Sequence, residues 1–120
     1  ETYFFREQYQ LEAFTEEILP ELQHRLADKT RLSVWSAGCS TGEEAYTLAM
    51  LILESGRFRD WSVRVFGSDI SRKVLATARS AVYGPSSFRV TEPATQRRYF
   101  QDVGGKSRLR DEIRNLCSFG

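Results

Sequence analysis

Long apolar runs, sulfur and histidine are scarce in this chain, and each shortage closes off a class of function. No stretch approaches the roughly 20 apolar residues that a membrane-crossing helix needs, and Glu1-Thr2-Tyr3 opens no signal peptide. Two cysteines, Cys39 and Cys117, are too few for a disulfide scaffold and too far apart for a metal knuckle. A reducing cytoplasm suits them. The lone histidine, His24, reads as a solvated helix residue, and no metal site is expected. Charge lacks bias as well: 17 Lys plus Arg face 16 Asp plus Glu, a net +1. Nothing in that balance calls for nucleic acid or an anionic membrane surface.

What remains is a globular composition of 120 residues, 41% hydrophobic and 28% charged, with 8 Phe, 5 Tyr and 2 Trp. It excludes a disordered chain and suits one modest domain. Leu11, Phe14, Ile18, Leu22 and Leu26 recur every three or four positions, one face of an amphipathic helix that should kink or restart at Pro20 and end by Lys29-Thr30. Arg31–Ala37 is rich in β-formers and reads as a strand, as does Ser62–Ser68. Between them the spacing predicts a helix from Glu43 to about Ser55, apolar on most sides and stopped by Gly56. Thr41 with Glu44, or Ser40 with Glu43, fits a capping box at its start. Ser71 should cap a third helix whose inner face is Val74, Leu75, Ala78 and Val82, with Ile70 and Leu75 as a hydrophobic staple. Strand, helix, strand, helix is the signature of a parallel α/β sheet, here with two strands. Beyond Gly84-Pro85, Tyr99-Phe100 ends a short helix, and Arg108 to Phe119 forms a hairpin or extended arm around Gly104-Gly105.

The chemistry concentrates at Gly38-Cys39-Ser40-Thr41-Gly42, between the first strand and its helix. Glycines permit a sharp turn and close approach of a ligand, and the new helix offers free N–H groups. Asp69, at the carboxyl end of the second strand, can accept a pair of ribose hydroxyls. Together these features point to a nucleoside-bearing cofactor. Three rivals are weaker. A dinucleotide fingerprint would need glycine where Ser40 stands, and a phosphate loop at Gly105-Lys106-Ser107 has Phe100 at its upstream glycine and no strand before it. The turn also satisfies G-x-S-x-G, but a Ser40 hydrolase needs a downstream histidine and His24 lies upstream. Of the adjacent Glu43 and Glu44, one suffices to favour the helix start by ~0.3–1 kcal/mol, leaving the other free for a cationic amino group. Cys39 reads as a small packing residue.

Thr2-Tyr3-Phe4-Phe5-Arg6, the run Val34 to Tyr46, Gly67-Ser68-Asp69-Ile70-Ser71, Val74 to Arg79, Ala81-Val82-Tyr83 and Tyr99-Phe100 together resemble the CheR-type chemoreceptor methyltransferases. That resemblance implies a Rossmann-like class I methyltransferase fold, a parallel sheet flanked by helices. Residues 1–30 would be a helical segment leading into the catalytic domain. Residues 31–120 would be the first part of the S-adenosylmethionine-binding domain, lacking its later strands. It further implies methyl transfer to glutamates on the cytoplasmic helices of methyl-accepting chemoreceptors, leaving S-adenosylhomocysteine. Cofactor contacts would carry over to Thr2, Arg6, Ala37, Gly38, Cys39, Ser40, Gly42, Glu43 or Glu44, Asp69 and Ile70. Arg6 would hold the methionine carboxylate or the incoming substrate carboxylate, and so counts as the catalytic candidate. A different class of outcome is a sensor or scaffold that keeps the cofactor pocket without catalysis.

Overall fold

A computed structural model describes residues 1–120. Strands β1 (Arg31–Ala37) and β2 (Ser62–Ser68) run parallel, in register from Arg31 opposite Ser62 to Ala37 opposite Ser68. Helix α3 (Glu43–Ser55) links them and ends at Gly56, which adopts φ 67°. Its Ala45, Tyr46, Ala49, Met50 and Ile52 are buried, as are Leu32 of β1 and Val65 of β2. Alternation along each strand leaves the other face bare: Trp35 is 68% exposed and Phe66, its partner across the ladder, 42%. Helix α4 (Arg72–Ser80) follows β2, with Ser71 accepting from the Val74 N–H as expected.

Helices α1 (Gln8–Ala13) and α2 (Leu19–Arg25) form one rod through a π-helical turn, Phe14–Ile18. The rod begins one turn earlier than the periodicity implied, at Gln8. Pro20 sits in the first turn of α2, where its missing N–H is tolerated, and the irregularity expected at Pro20 is displaced into the π turn before it. His24 is exposed on α2.

Three local expectations fail. Neither capping box forms: Gly42 is the N-cap of α3 and no side chain caps it. Thr41 donates instead to Glu43, and Glu44 is drawn to Ser36. Ile70 is fully exposed, so no staple with Leu75 exists. Val82 belongs not to α4 but to a short strand, β3 (Val82–Tyr83), because Ala81 breaks the helix at φ 56°.

The second half holds more structure than a hairpin or arm. After a 3₁₀ turn (Pro85–Phe88) and α5 (Pro93–Tyr99) come β4 (Phe100–Val103) and β5 (Lys106–Leu109), an antiparallel hairpin turning at Gly104-Gly105. With β3 they make a sheet in the order β3-β5-β4. Helix α6 (Asp111–Arg114) then delivers β6 (Cys117–Phe119) alongside β2, so the parallel sheet has three strands, β1-β2-β6, rather than two. Only three residues long, β6 is too brief for periodicity to reveal.

Candidate functional site

The glycine-rich turn is fastened from several sides. The Cys39 N–H donates to the Ser68 carbonyl at 2.9 Å, and the Ser40 N–H to Asp69 Oδ2 at 3.0 Å. Tyr83 donates its hydroxyl to the Thr41 carbonyl at 2.7 Å. Burial pushes the Tyr83 phenol far above its ordinary pKa, so it stays a donor. Gly38 has φ +69° and open space where a Cβ would stand, whereas a Cβ on Gly42, at φ +98°, would come within 2.9 Å of the Ala78 Cβ. One glycine faces free space and the other allows α4 to pack against the turn.

Opposite the turn lies the segment 1–7. Phe4 is fully buried among Tyr83, Phe88 and Phe100, with ring centroids 4.9–5.1 Å away. The Phe5 N–H donates to Thr47 Oγ1 of α3 at 3.1 Å. Arg89 stacks over the Tyr3 ring at 4.6 Å. These contacts fix a short arm that presents Thr2 and Arg6. Between arm, turn and helical rod opens a cleft of about 950 Å³, lined by Thr2, Arg6, Gly38, Cys39, Ser40, Thr41, Glu44 and Thr47. Arg6 is half exposed, bonded to the Glu1 carbonyl and 3.8 Å from Glu7.

The two glutamates part company. Glu44 lines the cleft, with Oε1 accepting from the buried Ser36 hydroxyl at 2.6 Å. Glu43 turns inward, bonded by Thr41 and by Ser87 at 2.9 Å. Asp69 stands outside the cleft wall, one hydrogen bond from the turn. Amides of Ser71 and Ser40 hold its carboxyl below the usual carboxylate range, so it is ionised at neutral pH with acceptor capacity to spare. Cys39 is buried, and burial together with the neighbouring Asp69 charge raises its thiol, which fits a packing residue rather than a nucleophile.

Of the residues singled out in the sequence, Thr2, Arg6, Gly38, Cys39, Ser40 and Glu44 thus meet in one cleft. Ala37, Gly42, Glu43, Asp69 and Ile70 are not in its wall, although Asp69 is one hydrogen bond from it. Sequence reasoning missed Gln10 as a lining residue and read Leu11, Phe14 and Ile18 only as one face of an amphipathic helix, whereas all of them border the cleft. Periodicity identifies a covered face, but a face over a cavity has the same period as one over a core. The donor set fits a zwitterionic, ribose-bearing ligand: free turn backbone, one guanidinium, and carboxylates at Glu44 and Asp69.

Comparison with known proteins agrees over the whole length. A family described as "CheR methyltransferase, SAM binding domain" matches residues 1–120. A probable chemotaxis protein methyltransferase of Rhizobium etli is 31% identical over 98% of this chain and 46% of its own length. A chemotaxis protein methyltransferase of Vibrio parahaemolyticus is 33% identical over 99% of the chain and 44% of its own. A probable biofilm formation methyltransferase of Pseudomonas putida is 38% identical, with 27% of its length covered. The chain spans less than half the length of these relatives.

Proposed function

The chain belongs to the CheR methyltransferase family, with S-adenosylmethionine as its cofactor, and from that premise we propose a glutamate O-methyltransferase acting on chemoreceptors. The substrate would be glutamate side chains on cytoplasmic receptor helices, and the product S-adenosylhomocysteine. Residues 1–30 would form one wall of the site and residues 31–120 the cofactor-binding part of the catalytic domain. A cytoplasmic location follows from that substrate, and no helix here is long and apolar enough to cross a membrane.

One observation carries the reading: the arm, the glycine-rich turn and Glu44 converge on a single cleft, with Asp69 one hydrogen bond from the turn. Glu44, rather than Glu43, would take the amino group of the methionine moiety. Asp69 would accept the ribose hydroxyls, and Arg6 would bind the cofactor's carboxylate or the substrate's. Gly38 leaves the backbone open to close approach. When bound, S-adenosylmethionine supplies an electrophilic methyl group. The protein need move no proton, because a glutamate side chain is already ionised at neutral pH. Its residues hold the attacking carboxylate in line and keep water out, work worth several kcal/mol of barrier by positioning alone. A catalytic histidine is unnecessary.

The test is transfer of radiolabelled methyl to receptor-bearing membranes by the full-length protein, with base-labile release of the label as the mark of a glutamyl ester. Tight cofactor binding without transfer would leave a sensor or scaffold instead.

A further inference from the structure

Glu43 is only 3% exposed, and the binding scheme above does not use it. Its carboxylate accepts from Thr41 in the glycine-rich turn and from Ser87 in the 3₁₀ turn. The Ser87 carbonyl in turn accepts the Phe4 N–H at 2.9 Å. One buried carboxylate therefore links the turn to the arm, the two opposite walls of the cleft. Both walls hold non-glycine residues in the left-handed region: Phe5 at φ 60° and Glu7 at φ 64° flank Arg6, and Ser40 sits at φ 51°. Such backbone persists only where its surroundings over-determine it.

We propose that Glu43 is a positioning residue, a clasp that sets the spacing between the Arg6 arm and the Gly38–Thr41 turn and so pre-forms the cofactor site. This rests on the S-adenosylmethionine reading of the cleft. A carboxylate at the start of a helix also favours that helix through the macrodipole. That role, however, needs neither Ser87 nor the arm. The two roles separate because Ser87→Ala leaves the helix start untouched and removes only one donor to the clasp.

In the full chain, Glu43→Gln and Ser87→Ala are compared alone and together by calorimetry with S-adenosylhomocysteine, and by amide hydrogen exchange of the unliganded protein. Each single variant is expected to weaken binding about tenfold, the scale of one lost charged hydrogen bond. The double variant should be no weaker than the worse single, since both cut one link. Exchange should rise together in residues 1–7 and 38–41, and Ser87→Thr should restore both readouts. Wild-type affinity in Ser87→Ala, additive losses, or exchange rising only in the first turn of α3 would overturn the clasp. If Glu43→Gln does not fold, Ser87→Ala and its Thr rescue decide. If the wild type binds no S-adenosylhomocysteine, the cofactor reading falls, and the exchange pattern still decides whether the clasp joins the two walls.

Discussion

Single residues in this site differ chiefly in what already holds them. Asp69 has its carboxyl lowered by the amides of Ser71 and Ser40. A group whose pKa is lower folded than unfolded contributes above its ordinary pKa and loses that contribution as pH falls through the lowered value. Affinity for S-adenosylhomocysteine should therefore show no Asp69 step from neutrality down to about pH 5 and weaken only in stronger acid. Asp69→Asn should bind more weakly at neutral pH and lack that acid step, which calorimetry across pH would record. Arg6 is held more loosely, by the Glu1 carbonyl and a 3.8 Å approach to Glu7, and exposed pairs of that kind contribute little to stability. Lysine cannot reproduce the bidentate fork that a carboxylate accepts. Arg6→Lys should leave the melting temperature nearly unchanged and lower methyl transfer at least tenfold, ~1.4 kcal/mol of transition-state stabilisation. Slow turnover with normal cofactor affinity would place Arg6 on the substrate, and a parallel loss of affinity would place it on the cofactor. Neither effect would leave Arg6 only its neighbours Glu1 and Glu7. The choice between Glu43 and Glu44 was illegible in the sequence for a physical reason. Adjacent helix positions differ by about 100° in direction, and only the packing of Ser36 and Ser87 says which way each points.

Elements tell a different story, because periodicity and punctuation read well where an element is long. Both seven-residue strands and the thirteen-residue α3 fall where β-formers, apolar spacing and Gly56 place them. What the sequence could not show was competition for side chains. Ser40, Thr41, Glu43 and Glu44 spell a capping box, yet the tertiary partners Ser36 and Ser87 outbid the local ones, and Gly42 starts the helix uncapped. Likewise β6 and β3 owe their existence to ladder partners distant in sequence, Val65–Gly67 and Ser107–Arg108, rather than to any pattern of their own. The turn is the junction of these elements, and Gly42 is its tightest point. A Cβ there would stand 2.9 Å from the Ala78 Cβ and 3.1 Å from the Tyr83 hydroxyl, on a backbone at φ +98°. Overpacking costs typically about 1–3 kcal/mol, and the left-handed backbone adds more. Gly42→Val should lower stability by at least about 2 kcal/mol and weaken cofactor binding, because Tyr83 and α4 also support the turn. An unaltered melting curve with normal binding would deny the turn its role. Ser71→Ala, removing the cap of α4, should cost only about 1 kcal/mol and spare the site.

At the scale of the whole molecule, two sheets of different character share one buried core, and the arm enters it through Phe4. The parallel sheet packs its covered face on α3, while the antiparallel sheet supplies Tyr83 and Phe100 to the rings around Phe4, with Phe88 from the 3₁₀ turn between them. A side chain so fully enclosed contributes by burial and by ring geometry, and truncating it to alanine typically costs about 3–5 kcal/mol. Phe4 lies two residues before Arg6, and its backbone N–H donates to the Ser87 carbonyl. Stability and site geometry are thus coupled through one residue. Phe4→Ala should lower the unfolding free energy by about 3–5 kcal/mol, read by denaturant titration, and should abolish measurable S-adenosylhomocysteine binding even at temperatures where the variant remains folded. Phe4→Leu keeps most of the buried volume and the same backbone bond, so it should lose about 1 kcal/mol and retain most of the affinity. Near-normal affinity in folded Phe4→Ala would mean that the arm is not a wall of the site, and that the turn, Glu44 and Asp69 hold the ligand unaided.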